Sequence, residues 1–305
     1  MATQEVWTIG RILKWTQDFF AKHGVESPRL DAEVLLAHLL DKERIYLYVH
    51  FDEPLEKPEL ARFHDMVKQR VSHVPVAYIL GEKEFMGLPF RVTEDTLVPR
   101  PDTEILVQAA VERLKKLAGV QAEAAGEAEP EKGKPVLKFA DIGTGTGAIC
   151  LSVLKFTKDT EAATVDISEK ARAVAEGNAE ALGVADRVTF YTGDLLGPVQ
   201  GQKFHAILSN PPYIPDAEVG KLQADVRVSE PHTALAGGAD GLDFYRRLCA
   251  EGPEMLLPGG FLAFEVGIHQ AEAVAELAKA NPLIGDTEII KDLAGIERVV
   301  VADLK

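Results

Sequence analysis

Phe139-Ala140-Asp141-Ile142-Gly143-Thr144-Gly145-Thr146-Gly147-Ala148 reads as the end of a strand, a glycine-rich turn and the first residue of a helix. Glycines let a backbone turn tightly and let a ligand approach with no Cβ in the way. The spacing is Gly-x-Gly-x-Gly. It is neither the Gly-x-Gly-x-x-Gly of dinucleotide-binding turns nor a P-loop, because no Lys-Ser/Thr pair follows. A ligand with an adenosine but no phosphate suits Gly143, Thr144, Gly145, Thr146 and Gly147 better than a phosphate does. A tight strand–helix turn that binds nothing is the alternative.

Outward from this turn the chain alternates strands and helices. Strands are predicted over 136–141, 162–166, 188–191, 206–209, 260–266, 287–291 and 298–302, with helices over 148–156, 169–182, 242–257 and 269–280. Alternation of this kind predicts a mostly parallel sheet covered on both faces. The last two strands are joined by a few residues around Ala294-Gly295, too few for a crossover helix, so they pair antiparallel or leave the sheet. A long irregular excursion, 211–241, interrupts the rhythm. In an open α/β sheet the ligand crevice lies beyond the carboxyl ends of the strands.

Two acids and a leucine fall at such ends. Asp166 closes the second strand, 23 residues after Gly143, where a carboxylate can accept hydrogen bonds from both hydroxyls of a ribose. Asp194 follows the third strand, placed either to meet an adenine amino group and hold the pocket loop or to cap the next turn. Leu195 offers an apolar contact for an adenine face. The fourth strand ends in Ser209-Asn210-Pro211-Pro212-Tyr213. Two prolines stop a strand and leave carbonyls free. The Asn210 side-chain oxygen and the Pro211 carbonyl can accept both N–H bonds of a planar primary amide or an exocyclic amine, with Tyr213 against its flat face. Such nitrogens are poor nucleophiles. Two acceptors would orient one and hold its developing positive charge as it takes up a methyl group, which is catalysis by positioning and preorganised electrostatics.

Residues 1–80 read as a small helical bundle, with helices after Thr8, after Ser27-Pro28, over 43–50 and over 58–71. Residues 81–95 read as a hairpin connector around Met86-Gly87, and 96–305 as the catalytic domain, opening with a helix over 103–117. The stretch 119–135, rich in Ala, Glu and Gly, reads as a solvated, disposable loop. The 305 residues carry a net charge of −15, which argues against tight non-specific binding to nucleic acid. Two cysteines, Cys150 and Cys249, exclude a disulfide scaffold and a four-cysteine metal site and point to an intracellular protein. Cys150 reads as a small buried apolar residue, and His205, His232 and His269 as caps or surface residues. No histidine cluster has metal-ligand spacing, and no window is long and apolar enough for a membrane span. Arg100, between two prolines, is a candidate for closing over the ligand or pairing with Glu104. Glu265 is either a site residue or a buried framework carboxylate.

Asp141-x-Gly143-x-Gly145-x-Gly147, Asp166 and Asn210-Pro211-Pro212-Tyr213 together resemble a class I S-adenosylmethionine-dependent methyltransferase acting on a planar nitrogen. Pro75–Gly81, Val98-Pro99-Arg100-Pro101-Asp102-Thr103-Glu104, Glu230-Pro231, Gly237–Leu242, Glu265-Val266-Gly267 and Lys291–Gly295 narrow the resemblance to the peptide chain release factor glutamine methyltransferases, the HemK/PrmC family. The likeness runs from about residue 28 to the end. It implies a Rossmann-like seven-stranded sheet behind a small helical bundle. It also implies S-adenosyl-L-methionine as methyl donor, with S-adenosyl-L-homocysteine as product, and no metal. The donor would contact the glycine turn, Asp166, Asp194, Leu195, Asn210 and Arg100. Asn210, Pro211, Pro212 and Tyr213 would hold the substrate, the glutamine of the Gly-Gly-Gln motif of class I release factors, methylated at N5. The bundle would dock that partner. A cytoplasmic monomer with no direct nucleic-acid or membrane contact is the expectation. This chain departs from many relatives in having Asp102 for Glu and Leu195 for an aromatic, and its 119–135 insertion is longer. The Asn-Pro-Pro-Tyr turn is shared with adenine-N6 DNA and RNA methylases, which are the alternative.

Overall fold

The computed structural model describes residues 6–124 and 136–305. Contacts divide the chain into two units, one of residues 1–81 with 223–229, the other of 82–222 with 230–305.

The first unit holds helices α1 (Ile9–Lys22), α2 (Pro28–Leu39), α3 (Arg44–Val49), α4 (Lys57–Val71) and α5 (Val76–Leu80). The Thr8 hydroxyl accepts from the Arg11 amide at the start of α1. Glu56 and Glu59 form a reciprocal capping box at the start of α4, and Pro28 and Pro58 occupy first-turn positions, where a missing N–H costs nothing. Phe20, Leu35, Leu36, Leu47, Phe63 and Val67 fill the core between them.

The second unit opens with a hairpin, β1 (Glu82–Phe85) and β2 (Leu88–Arg91), whose Met86-Gly87 turn takes left-handed φ at both residues. Phe85 and Phe90 bury against α6 (Thr103–Ala124), so the hairpin is part of this unit. Helix α6 outruns its expected end at Leu117 because Ala, Glu and Gln are strong helix formers. The loop expected over 119–135 is therefore helical through Ala124, and its remainder lies outside the described residues.

Then come β3 (Leu137–Ile142), α7 (Ala148–Phe156), β4 (Thr160–Asp166), α8 (Glu169–Leu182), β5 (Val188–Thr192) and β6 (Phe204–Ser209). After the excursion, with its short helices α9 (Asp216–Val219) and α10 (Ala224–Ser229), the chain continues through α11 (Asp243–Glu251), β7 (Leu256–Glu265), α12 (Ala271–Lys279), β8 (Ile284–Lys291) and β9 (Glu297–Leu304). The helix expected over 242–257 breaks at Gly252-Pro253, where Pro253 has no N–H to continue the ladder, and a short 3-10 turn leads into β7.

The seven-stranded sheet has the order β5-β4-β3-β6-β7-β9-β8. It is parallel from β5 to β7, and β9 pairs antiparallel with both β7 and β8. Alternate residues feed opposite faces. Leu137 and Phe139 face α6 and α7, while Ala140 and Ile142 face α11 and α12. Burial on both faces explains why these strands read as near-continuous apolar runs. Consecutive strands diverge to either side of the β3–β6 pair, which makes that pair the topological switch point, where α/β sheets hold ligands.

Candidate active site

Strand β3 delivers the glycine turn. Gly143, Gly145 and Gly147 all take left-handed φ, +82°, +55° and +82°. The turn is tied to its surroundings: the Gly143 and Thr144 amides donate to the Val165 carbonyl at 2.9 and 3.2 Å, and Asn178 Nδ2 donates to the Thr146 carbonyl at 2.9 Å. The Thr144 hydroxyl bonds the Thr164 hydroxyl. Beneath the turn, Asp141 accepts from the Cys150 amide at 3.2 Å, and burial pushes its carboxyl up to about 8, against that bond. Cys150 is fully buried, as expected of a small apolar residue.

Strand β4 delivers Asp166. Its two oxygens accept from the Gly145 and Ser168 amides, each at 2.8 Å. A carboxylate has about four lone-pair sites, so each oxygen keeps one for a ligand hydroxyl. After β5, both Asp194 oxygens accept from Arg247, at 3.1 and 2.6 Å, and this pairing holds the carboxyl below its ordinary value. Leu195 follows with φ +46°.

Strand β6 delivers Asn210. Ser209 and Ile142 are direct neighbours across β3–β6, and the Ser209 hydroxyl donates to the Ile142 carbonyl at 2.6 Å. The two turns therefore lie side by side: a Cβ on Gly143 would lie 3.9 Å from the Asn210 carbonyl oxygen. Asn210 Nδ2 donates to the Thr103 hydroxyl at 3.3 Å.

These turns line one cavity of about 390 Å³, within the roughly 300–1,000 Å³ of small-molecule sites. Of the residues singled out in the sequence, Gly143 through Thr146, Asp166, Asp194, Leu195, Arg100, Asn210, Pro211 and Pro212 are in its wall. Gly147 lies behind it, at the start of α7. Tyr213 also stands behind the wall: its carbonyl accepts from Gln270 Nε2 at 3.0 Å, and burial pushes its hydroxyl up to about 12. Arg100 does not reach Glu104, which accepts from the Met86 amide. It donates instead to both oxygens of Glu230, at 2.6 and 2.8 Å. Burial raises the Glu230 carboxyl from its ordinary value, against the pull of Arg100.

Some wall residues carried no sequence signal. His232, read as a cap or surface residue, lines the cavity together with Ile167 and Phe244. His205, given the same reading, is buried on β6 and accepts from the Lys138 amide. Thr103 lay within a quoted motif, but its hydroxyl contact with Asn210 spans 107 positions of sequence and is visible only in the fold.

The wall fits an adenosyl ligand. A Cβ on Gly145 would meet nothing within 4 Å, so the glycine leaves open space at the turn. Asp166 keeps acceptor capacity for a ribose, and Leu195 and Ile167 supply apolar cover. No cluster of basic side chains for a phosphate is needed.

Residues 11–81 match the PrmC N-terminal domain, and residues 131–239 the methyltransferase small domain. A release factor glutamine methyltransferase of Geobacter sulfurreducens is 42% identical over 97% of this chain and 96% of its own length. The chain belongs to the release factor glutamine methyltransferase family. Relatives of the same name from Rhodopirellula baltica and Moorella thermoacetica are 41% and 42% identical, covering 96% and 92% of this chain and 95% and 93% of theirs. Like the family, it is an S-adenosylmethionine-dependent methyltransferase with the class I fold. Among solved structures, the hMettl16 catalytic domain in complex with the MAT2A 3′UTR hairpin 6 aligns with a TM-score of 0.53 over 81% of this chain and 82% of its own, at 14% identity. That likeness concerns the fold alone.

Proposed function

We propose that this methyltransferase modifies the N5 side-chain amide of the glutamine in the Gly-Gly-Gln motif of class I peptide chain release factors. The observation that carries the reading is the shared cavity: the glycine turn and the Asn210-Pro211 turn stand at the ends of neighbouring strands and line one space. The relatives named release factor glutamine methyltransferase support the choice of substrate.

S-adenosyl-L-methionine would supply an electrophilic methyl on sulfur there; transfer would break the S–CH3 bond, form the N–CH3 bond, leave S-adenosyl-L-homocysteine and release one amide proton to solvent. The protein's own residues do the rest. The glycine turn and Asp166 would hold the adenosyl part of the donor, and Leu195 and Ile167 would give its adenine apolar cover. Asp194, held by Arg247, fixes the loop that carries Leu195. Asn210 Oδ1 and the Pro211 carbonyl accept the two N–H bonds of the glutamine amide, so the nitrogen faces the donor and its growing positive charge meets two oxygens. Pro212 continues the wall beside this acceptor pair, and Tyr213 braces the turn from behind. Pro211 and Pro212 have no N–H to compete for the acceptors. In the helical unit, Ile45, Val49 and Phe51 are exposed apolar side chains suited to contact with the release factor.

The experiment compares wild type with Asn210→Ala in two assays, methyl transfer to a release factor and equilibrium binding of the donor. Loss of transfer by at least about a hundred-fold with donor affinity within about three-fold is expected, since the acceptor acts on the nucleophile. A matching loss of donor affinity with the fold intact would show that Asn210 belongs to the donor subsite. An oligonucleotide offered in parallel tests for adenine-N6 transfer, which this reading excludes.

A further inference from the structure

The acceptor pair works only if Asn210 presents its oxygen, and not its NH2, to the substrate. The two ends of an asparagine amide are nearly the same shape, and turning it over would set donor against donor. The bond from Nδ2 to the Thr103 hydroxyl does not decide the matter, because a hydroxyl can accept from one end or donate to the other. Behind both residues lies Glu265, the last residue of β7. It is 3% exposed and stands one position beyond the Ser209–Phe264 pair of β6 and β7, level with Asn210, and the Thr103 hydroxyl and the Asn210 side chain both favour its charged form. Its Oε2 has no hydrogen-bond partner among the described residues.

We propose that Glu265 is a positioning residue that, through Thr103, locks the Asn210 amide with its oxygen toward the substrate. An ionised carboxylate only accepts. In the lock it accepts a hydrogen bond from the Thr103 hydroxyl, so the Thr103 oxygen is left to accept from Asn210 Nδ2, and Oδ1 is left for the cavity. A protonated Glu265 can donate as well, and the lock is lost. A buried ionisable group with an orphaned oxygen is costly for a framework, and this role gives the cost a return in orientation. Burial pushes the Glu265 carboxyl up to about 7, with the nearby Thr103 hydroxyl acting against it. The charged and titratable groups facing it are Asp102, which raises it, and Arg298, which lowers it. Tyr213 lies alongside, and the Tyr245 hydroxyl donates to the Glu265 backbone carbonyl at 2.7 Å. Arg298 is itself shared between Asp102 and Asp292, at 2.9 and 3.0 Å, so it does not neutralise Glu265 alone.

The inference rests on the proposed role of Asn210, and two readouts keep the two claims apart. In the full-length enzyme without any acceptor, the side-chain amide resonances of Asn210 shift with pH around a midpoint of about 7, and Glu265→Gln abolishes that shift. In transfer assays, wild-type kcat rises from about pH 6 to about pH 8, as a group that must be ionised requires. Glu265→Gln lowers kcat by about ten- to a hundred-fold, leaves the donor Kd within about three-fold and flattens the profile. Thr103→Val acts in the same direction, and Thr103→Ser, which keeps the hydroxyl, is at least about ten-fold more active than Thr103→Val. An Asn210 amide that ignores pH, or a Glu265→Gln enzyme whose loss tracks donor affinity and melting temperature, overturns the lock. Absence of transfer to a release factor by a wild-type enzyme whose Asn210 still titrates overturns the functional reading and leaves the lock standing.

Discussion

Arg100 and Glu230 show how much a single contact can hide. The Glu230 side chain is 1% exposed and Arg100 38% exposed, and their bond joins residues 130 positions apart. Breaking a fully buried pair costs about 3–5 kcal/mol, and the open side of Arg100 discounts this to about 2 kcal/mol. Arg100→Ala should lose that amount in denaturant unfolding, while Glu230→Gln, which keeps a neutral acceptor, should lose less than half of it. At this scale legibility followed locality. Gly143 through Thr146, Asp166 and Asn210 were readable as cavity residues because each sits within a few residues of a strand end, where pattern and chemistry coincide. Arg100 was recognisable as a pocket residue, but its partner was not, since no local spacing links it to Glu230. The Asn210–Thr103 bond and the nearby Glu265 bring together three separate strand or helix termini, and nothing along the chain announces it.

Elements were more legible in type than in extent. Strands β3 to β9 follow from apolar runs and turn residues, and the antiparallel pairing of β8 with β9 follows from the short link around Gly295. Helix α6 passed beyond its expected end because composition alone cannot tell a solvated loop from a helix of good formers. The excursion 211–241 held the larger surprise. Its helix α10 clusters with the helical unit, where Asp225 meets Arg70 Nη2 at 2.7 Å and the Ser229 hydroxyl donates to the His73 carbonyl at 2.9 Å. Arg70 is only 6% exposed and also holds Asp31 at 2.7 Å. Arg70→Ala should destabilise the helical unit by about 3 kcal/mol. It should also speed amide exchange in Ala224–Ser229 while leaving β3 amides unchanged, as read by hydrogen exchange. At the start of α7, a Cβ on Gly147 would lie 2.7 Å from Leu151 Cδ1, on a residue with φ +82°. Gly147→Ala should therefore cost about 2 kcal/mol in thermal or chemical unfolding, from left-handed strain and displacement of Leu151.

Whole-molecule behaviour follows from where the charge is buried. Asp141 has its carboxyl raised to about 8 by burial, so the folded state holds a proton that the unfolded chain releases near its ordinary value of 3.8. The stabilising contribution is complete below about pH 4 and is lost as pH rises through about 8. Wild type should accordingly lose stability relative to Asp141→Asn across that window, measured as the difference between their melting temperatures at each pH. Fold class and donor chemistry were legible at this scale because a glycine turn and Asn-Pro-Pro-Tyr fall at the two strand ends that flank a switch point. The division into units was less so, because residues 223–229, within the stretch 96–305 expected to form the catalytic domain, pack with the helices. The central claim joins donor and acceptor in one cavity, and mass analysis of the tryptic peptides of a class I release factor after incubation with enzyme and S-adenosyl-L-methionine tests it most directly. One added methyl on the glutamine side chain of the Gly-Gly-Gln peptide, absent with Asn210→Ala, is the predicted result. An unmodified glutamine, with methyl transferred instead to adenine in an oligonucleotide, would contradict it.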